Sequence, residues 1–187
     1  MGVKDLLRRL SASAAKIVDL RDIASGKTVV VDGHFVAHSL ATGSVADALV
    51  ERGDARPLAK VLIGRMTCLR EAGIVPFVVF DGASPPAKER TARARTKRRE
   101  EALRRRKEAL IKGDKPRSAS GCVSITQDVV TVLVRALQDQ VFGVIVAPYE
   151  ADAQVILIEE ELDAACVYAN DADLIVMGVK NLISEIQ

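Results

Sequence analysis

Residues 27–33 read KTVVVDG and residues 75–82 read VPFVVFDG. Each is a short run of β-branched and aromatic residues that stops at an Asp-Gly pair, Asp32-Gly33 and Asp81-Gly82. Apolar runs of this length without polar alternation predict strands buried on both faces, the habit of a parallel sheet. Val144–Ala147 is a third such run, followed by Pro148 and then Glu150, and Ala165–Ala169 (ACVYA) is a fourth, followed by Asn170, Asp171 and Asp173. Four predicted strands thus hand over to acidic residues at their C-terminal ends.

Between the strands lie Arg56–Ala72, Gln127–Gln140 and Glu150–Glu161, whose apolar residues recur at helical spacing. The alternation of strand and helix predicts an α/β protein with a mostly parallel central sheet flanked by helices on both faces. Such sheets bind ligands beyond the carboxyl ends of their strands, so the acids are expected to converge there.

A segment of different texture interrupts the pattern. Pro85 and Pro86 break the chain after the second strand, and Lys88–Ile111 is then rich in Ala, Arg, Lys, Glu and Leu, strong helix formers with almost no apolar face. This predicts a helix outside the core, followed by a flexible connection through Gly113, Pro116, Ser118, Ser120 and Gly121. From Ala83 to Arg117 there are 14 Lys or Arg against 5 Asp or Glu, whereas the rest of the chain has 13 against 20. A net charge of +2 therefore conceals a basic element set on an acidic body. That asymmetry implies a polyanionic partner, with a bound cation to reconcile it with the carboxylates.

Composition narrows the classes. The chain has 187 residues with 49% hydrophobic and 28% charged, which suits one globular domain with a self-sufficient core. Cys68, Cys122 and Cys166 are widely spaced without a CxxC pair, which argues against a disulfide framework or a structural zinc site and for a reducing intracellular compartment. The N-terminus MGVKDLLRRL has no signal-peptide pattern, and no apolar run reaches membrane-spanning length.

Six carboxylates at one sheet edge repel one another unless protons or cations compensate. Mg²⁺ is the matching cation: hard, oxygen-seeking, and suited to pairing carboxylates with phosphate oxygens. Two such ions promote in-line phosphoryl displacement by water. Glu150 and Asp152 precede an apolar run and so fall at a helix N-terminus, where carboxylates are favoured. Asp171 and Asp173, two apart, point to the same side if extended geometry continues past the strand. A single Asp after a strand is more often a turn residue or helix cap, and the pattern alone leaves caps and a metal site both open.

The segments MGVKDLL, VVVDGHFVAH, FVVFDG with a basic segment behind it, APYEADAQ and NDADLIVMG resemble, in type and order, the flap endonuclease and exonuclease 1 family of structure-specific 5′ nucleases. The likeness runs from Met1 to Gln187, and the EADA form is closer to exonuclease 1 than to flap endonucleases. The resemblance implies a PIN-like 5′-nuclease fold over residues 1–187 with a basic helical arch or clamp at about 83–121, and a two-metal DNA phosphodiester hydrolase using Mg²⁺, with Mn²⁺ able to substitute. It places the metal carboxylates at Asp32, Asp81, Glu150, Asp152, Asp171 and Asp173. It puts Lys88 and Arg95, seven apart, at the arch base against the scissile phosphate, where they stabilise transition-state charge, with Glu150 also serving catalysis. Arg93, Arg98 and Arg99 join them as DNA contacts, His38 falls where an aromatic or His meets the terminal base, and Gly2 falls where the processed N-terminus packs beside the site. The implied partner is DNA with a 5′ end, flap or single-strand/duplex junction, and the implied location is the nucleus, in repair or replication.

Asp5 stands where the family commonly has Gly, and the Asp32 motif lacks the usual Trp; His34 is expected to be structural. The family's further Asp and its duplex-gripping helix–turn–helix element lie beyond Gln187, so the isolated 187 residues are expected to be weakly active or inactive. A compact PIN-type ribonuclease, which shares an acid-lined parallel sheet without needing a long basic insertion, and a non-catalytic nucleic-acid-binding or protein-interaction module are the competing readings.

Overall fold

The computed structural model describes residues 16–83, 89–112 and 118–186. In chain order these form α1 (Leu20–Ala24), β1 (Thr28–Asp32), α2 (Gly33–Leu40), α3 (Gly43–Arg52), α4 (Arg56–Glu71), β2 (Val75–Phe80), α5 (Glu89–Ile111), a 3₁₀ turn (Ala119–Cys122), α6 (Gln127–Asp139), β3 (Gly143–Val146), α7 (Ala151–Glu161), β4 (Cys166–Tyr168), α8 (Asp173–Val176) and β5 (Leu182–Ile183). The four strands and three amphipathic helices read from the sequence are present, with ends shifted by at most one residue. The sheet has a fifth, two-residue strand, β5, too short to leave a pattern.

All neighbouring strands are parallel, in the order β3-β2-β1-β4-β5. β1 lies in the centre, and Val29, Val30 and Val31 are fully buried, which is why its sequence shows no alternation. Successive valines nevertheless face opposite ways. Val29 and Val31 join one core with Ala37, Leu62, Met66, Leu133 and Leu137, whereas Val30 joins a second with Val79, Val155, Val167 and Leu174. Helices α2, α4 and α6 therefore cover one face and α7 and α8 the other, which brings every strand's carboxyl end to a single edge.

The basic segment departs in part from its sequence reading. Residues 89–111 are helical as expected, and Arg93 to Arg98 are exposed. The helix is nonetheless tied to the body: the Arg106 side chain is only 9% exposed, and its guanidinium reaches Asp47 at 2.8 Å and Glu51 at 2.6 Å on α3. Helix α5 also packs on the 3₁₀ turn. The connection read as flexible is correspondingly corrected over 118–126: Ala119 and Val123 are buried, because small apolar residues among the serines and glycine fill the space beneath α5. Residues 113–117 lie outside the described residues. Among the described residues no helix is long and apolar enough to cross a membrane.

Candidate metal and nucleic-acid site

Asp32 closes β1 and opens α2. Its Oδ1 accepts the Phe35 N–H at 3.0 Å, so the helix-capping role that any Asp after a strand suggests is real here. Burial pushes its carboxyl up to about 6; the Phe35 N–H works against this, and the charges of Asp81 and Asp152 add to it. Asp81, at the end of β2, and Asp152, at the start of α7, thus come near enough to act on the Asp32 carboxyl at the end of β1.

Asp81 is fixed by a different helix. Its Oδ1 accepts the Ala151 N–H at 2.7 Å, so it caps α7 from an adjacent strand. Glu150 occupies the cap position of α7 yet makes no side-chain capping bond there. The fit depends on Gly82, whose N–H donates to the Tyr149 carbonyl at 2.6 Å; a Cβ on Gly82 would run into the Ala147 carbonyl oxygen. Gly33 is similarly confined, because a Cβ would lie 2.6 Å from the Phe80 ring. At both positions glycine is needed because a neighbouring group fills the space a Cβ would take.

Asp171 and Asp173 follow β4, the strand beside β1. Their side-by-side geometry is corrected: the extended conformation ends before Asp173, which begins α8, and Asp171 Oδ1 accepts the Asp173 N–H at 2.9 Å. Among the described residues, no group of three or more His, Cys, Asp or Glu side chains is arranged to hold one ion. The donor set is nevertheless suited to a hard divalent cation, because it consists of carboxylates whose mutual repulsion is already expressed at Asp32.

His38, in the last turn of α2, links this edge to the basic helix. Burial lowers its pKa, and the nearby charges of His34, Arg99 and Arg95 lower it further. The ring is exposed, near two of the arginines singled out on α5. Arg93, Arg95 and Arg98 are exposed and Arg99 partly so. Lys88 and Gly2 lie outside the described residues. Sequence reasoning missed Gln127, whose Nε2 donates to the Gly82 carbonyl at 2.8 Å, and the Arg106 anchor; neither residue stands in a local pattern that marks it.

Exodeoxyribonuclease 1 of Schizosaccharomyces pombe is 33% identical over 98% of the chain and 32% of its own length, so the chain spans about a third of that relative. Human GEN1, solved in complex with Holliday junction DNA, superposes with a TM-score of 0.66 at 16% identity, covering 100% of this chain and 41% of that one. Flap endonuclease-1 from Methanococcus jannaschii gives 0.62 at 21%, covering 93% and 57%. These two likenesses show a shared fold. The XPG N-terminal domain family matches residues 1–102, more than half of the sequence, and the chain belongs to that family.

Proposed function

We propose that this chain forms the metal-binding portion of a 5′ nuclease that hydrolyses DNA phosphodiester bonds at a 5′ end or flap, in the nucleus. The observation that supports it best is the meeting of Asp32, Asp81 and Asp152 at one sheet edge, with the Asp32 carboxyl raised to about 6 and the arginines of α5 beside His38. A carboxylate cluster alone would repel DNA; beside a basic helix it selects a polyanion and a cation together.

Asp32, Asp81, Glu150, Asp152, Asp171 and Asp173 would hold the metal. Bound Mg²⁺ or Mn²⁺, as a pair, would supply an activated water and charge stabilisation at the leaving oxygen. The protein's own contribution is positional. The N–H groups of Phe35 and Ala151 orient Asp32 and Asp81. Arg95, with Lys88, would meet the phosphate and stabilise developing charge. Arg93, Arg98 and Arg99 would follow the backbone, and His38 would stack on the terminal base. Gly2 would pack beside the site. The basic segment at about 83–121 is the arch or clamp of a single nuclease domain, and its 23-residue helix α5 favours this reading over a compact PIN-type ribonuclease.

The test is calorimetric titration of Mn²⁺ into the parent chain and an Asp171→Ala/Asp173→Ala double variant, with cleavage of 5′-flap DNA and RNA run side by side. Metal binding by the parent that the double variant loses supports the proposal. Identical binding by both, or preferential cutting of RNA, overturns it.

A further inference from the structure

His34 takes no part in the scheme above, yet it sits where two distant segments meet. It is the second residue of α2, with its side chain 19% exposed. Its ring lies edge-on to Phe80, centroids 5.7 Å apart. Nδ1 accepts the backbone N–H of Asp81 at 3.1 Å. With Nδ1 an acceptor, the ring proton belongs on Nε2, and the backbone of Ile125 lies close enough to the ring to act on it. Asp81 lies just before the basic segment and Ile125 just after it, so one imidazole bridges the chain's departure and its return.

The Asp81 residue is consequently held on three sides. His34 takes its N–H, and Ala151 donates to its carboxylate at 2.7 Å. Gln127, the first residue of α6, donates to the Gly82 carbonyl at 2.8 Å and approaches the Asp81 carbonyl at 3.4 Å. A carboxylate anchored through both its backbone and its side chain has little freedom to turn. Groups that orient ligating residues from behind typically affect metal affinity about 10- to 100-fold.

We infer that His34 is a positioning residue: by accepting the Asp81 N–H while facing the Ile125 backbone, it closes the base of the basic segment and sets the direction in which Asp81 offers its carboxylate to a divalent cation. This rests on the metal-site reading above. It differs from a space-filling role against Phe80, which any ring of similar size would satisfy.

Three variants of the full chain separate these roles. His34→Asn keeps an acceptor near Nδ1 and gives up the reach to Ile125. His34→Gln keeps a donor near Nε2 and gives up the acceptor, and His34→Phe keeps the ring and loses both. The readouts are Mn²⁺ affinity by calorimetry, backbone amide exchange over 118–126, and the thermal midpoint without metal. The expected result is that His34→Gln and His34→Phe weaken Mn²⁺ binding by about tenfold or more, while His34→Asn binds close to the parent but exchanges faster over 118–126. Parent-like Mn²⁺ affinity in His34→Phe, or losses in all three variants that merely follow their thermal midpoints, overturns the inference while leaving the metal site standing. A parent chain that binds no Mn²⁺ overturns both.

Discussion

Asp81 caps a helix to which it does not belong, its Oδ1 accepting the Ala151 N–H at 2.7 Å. The bond joins the end of β2 to the start of α7 and brings Asp81 beside Glu150 and Asp152. Asp81→Asn retains an acceptor and is expected to fold with a near-parental thermal midpoint while losing most Mn²⁺ affinity. Asp81→Ala leaves the Ala151 N–H unsatisfied and is expected to cost a further ~1 to 2 kcal/mol of stability. Thermal unfolding and Mn²⁺ calorimetry on both variants separate the two effects.

Asp32 makes the metal-free protein sensitive to pH. Its folded-state value of about 6 lies above the ordinary 3.8, so the folded state binds the proton more tightly than the unfolded one. Below about pH 4 both states are protonated and the group costs nothing; as pH rises through 6 the folded state must carry a buried charge and stability falls. Asp32→Asn removes that charge and keeps an acceptor for the Phe35 N–H. In EDTA at pH 7.5 it is expected to be more stable than the parent, on the order of 2 kcal/mol, with the difference vanishing near pH 4. A less stable Asp32→Asn at pH 7.5 contradicts this.

The glycines divide by what surrounds them. Gly82→Ala drives a Cβ into the Ala147 carbonyl oxygen, and backbone cannot move aside as a side chain can. Gly33→Ala meets only the Phe80 ring. Gly82→Ala is therefore expected to destabilise by more than Gly33→Ala, whose cost is about 1 to 3 kcal/mol. Gly64, in α4, has open space where a Cβ would go, and Gly64→Ala is expected to stabilise by about 0.5 to 1 kcal/mol. Urea denaturation of the three variants gives the order.

Arg106 holds the basic helix through Asp47 and Glu51. Arg106→Met is expected to speed amide exchange along residues 93–111 while leaving the sheet's exchange unchanged. The same exchange rates in both proteins would show that packing on the 3₁₀ turn suffices.

Arg95 and Arg99 stand beside His38. The double variant Arg95→Ala/Arg99→Ala is expected to lower the slope of log affinity for 5′-flap DNA against log salt by about 2, one for each phosphate that is no longer neutralised. Mn²⁺ affinity should not change. An unaltered slope, measured by fluorescence anisotropy over a salt series, removes these arginines from the DNA path.

Much of the fold was legible because its signals are local. The unbroken Val29–Val31 run marks a strand buried on both faces, the acids at Asp32, Asp81, Glu150 and Asp171 mark the ends of neighbouring strands, and Lys88–Ile111 declares itself a helix by composition. The motifs also sufficed to name the family. What the sequence alone left open was the partner of each group: that Asp81 is held by His34, 47 positions away, and by Ala151, 70 positions away, or that Arg106 crosses 59 positions to Asp47. Those pairings depend on strand order and on which helix N-terminus arrives at which strand end. Backbone periodicity is set by each residue's immediate neighbours, but a carboxylate's hydrogen-bond donor and electrostatic surroundings exist only once the sheet has brought remote segments together.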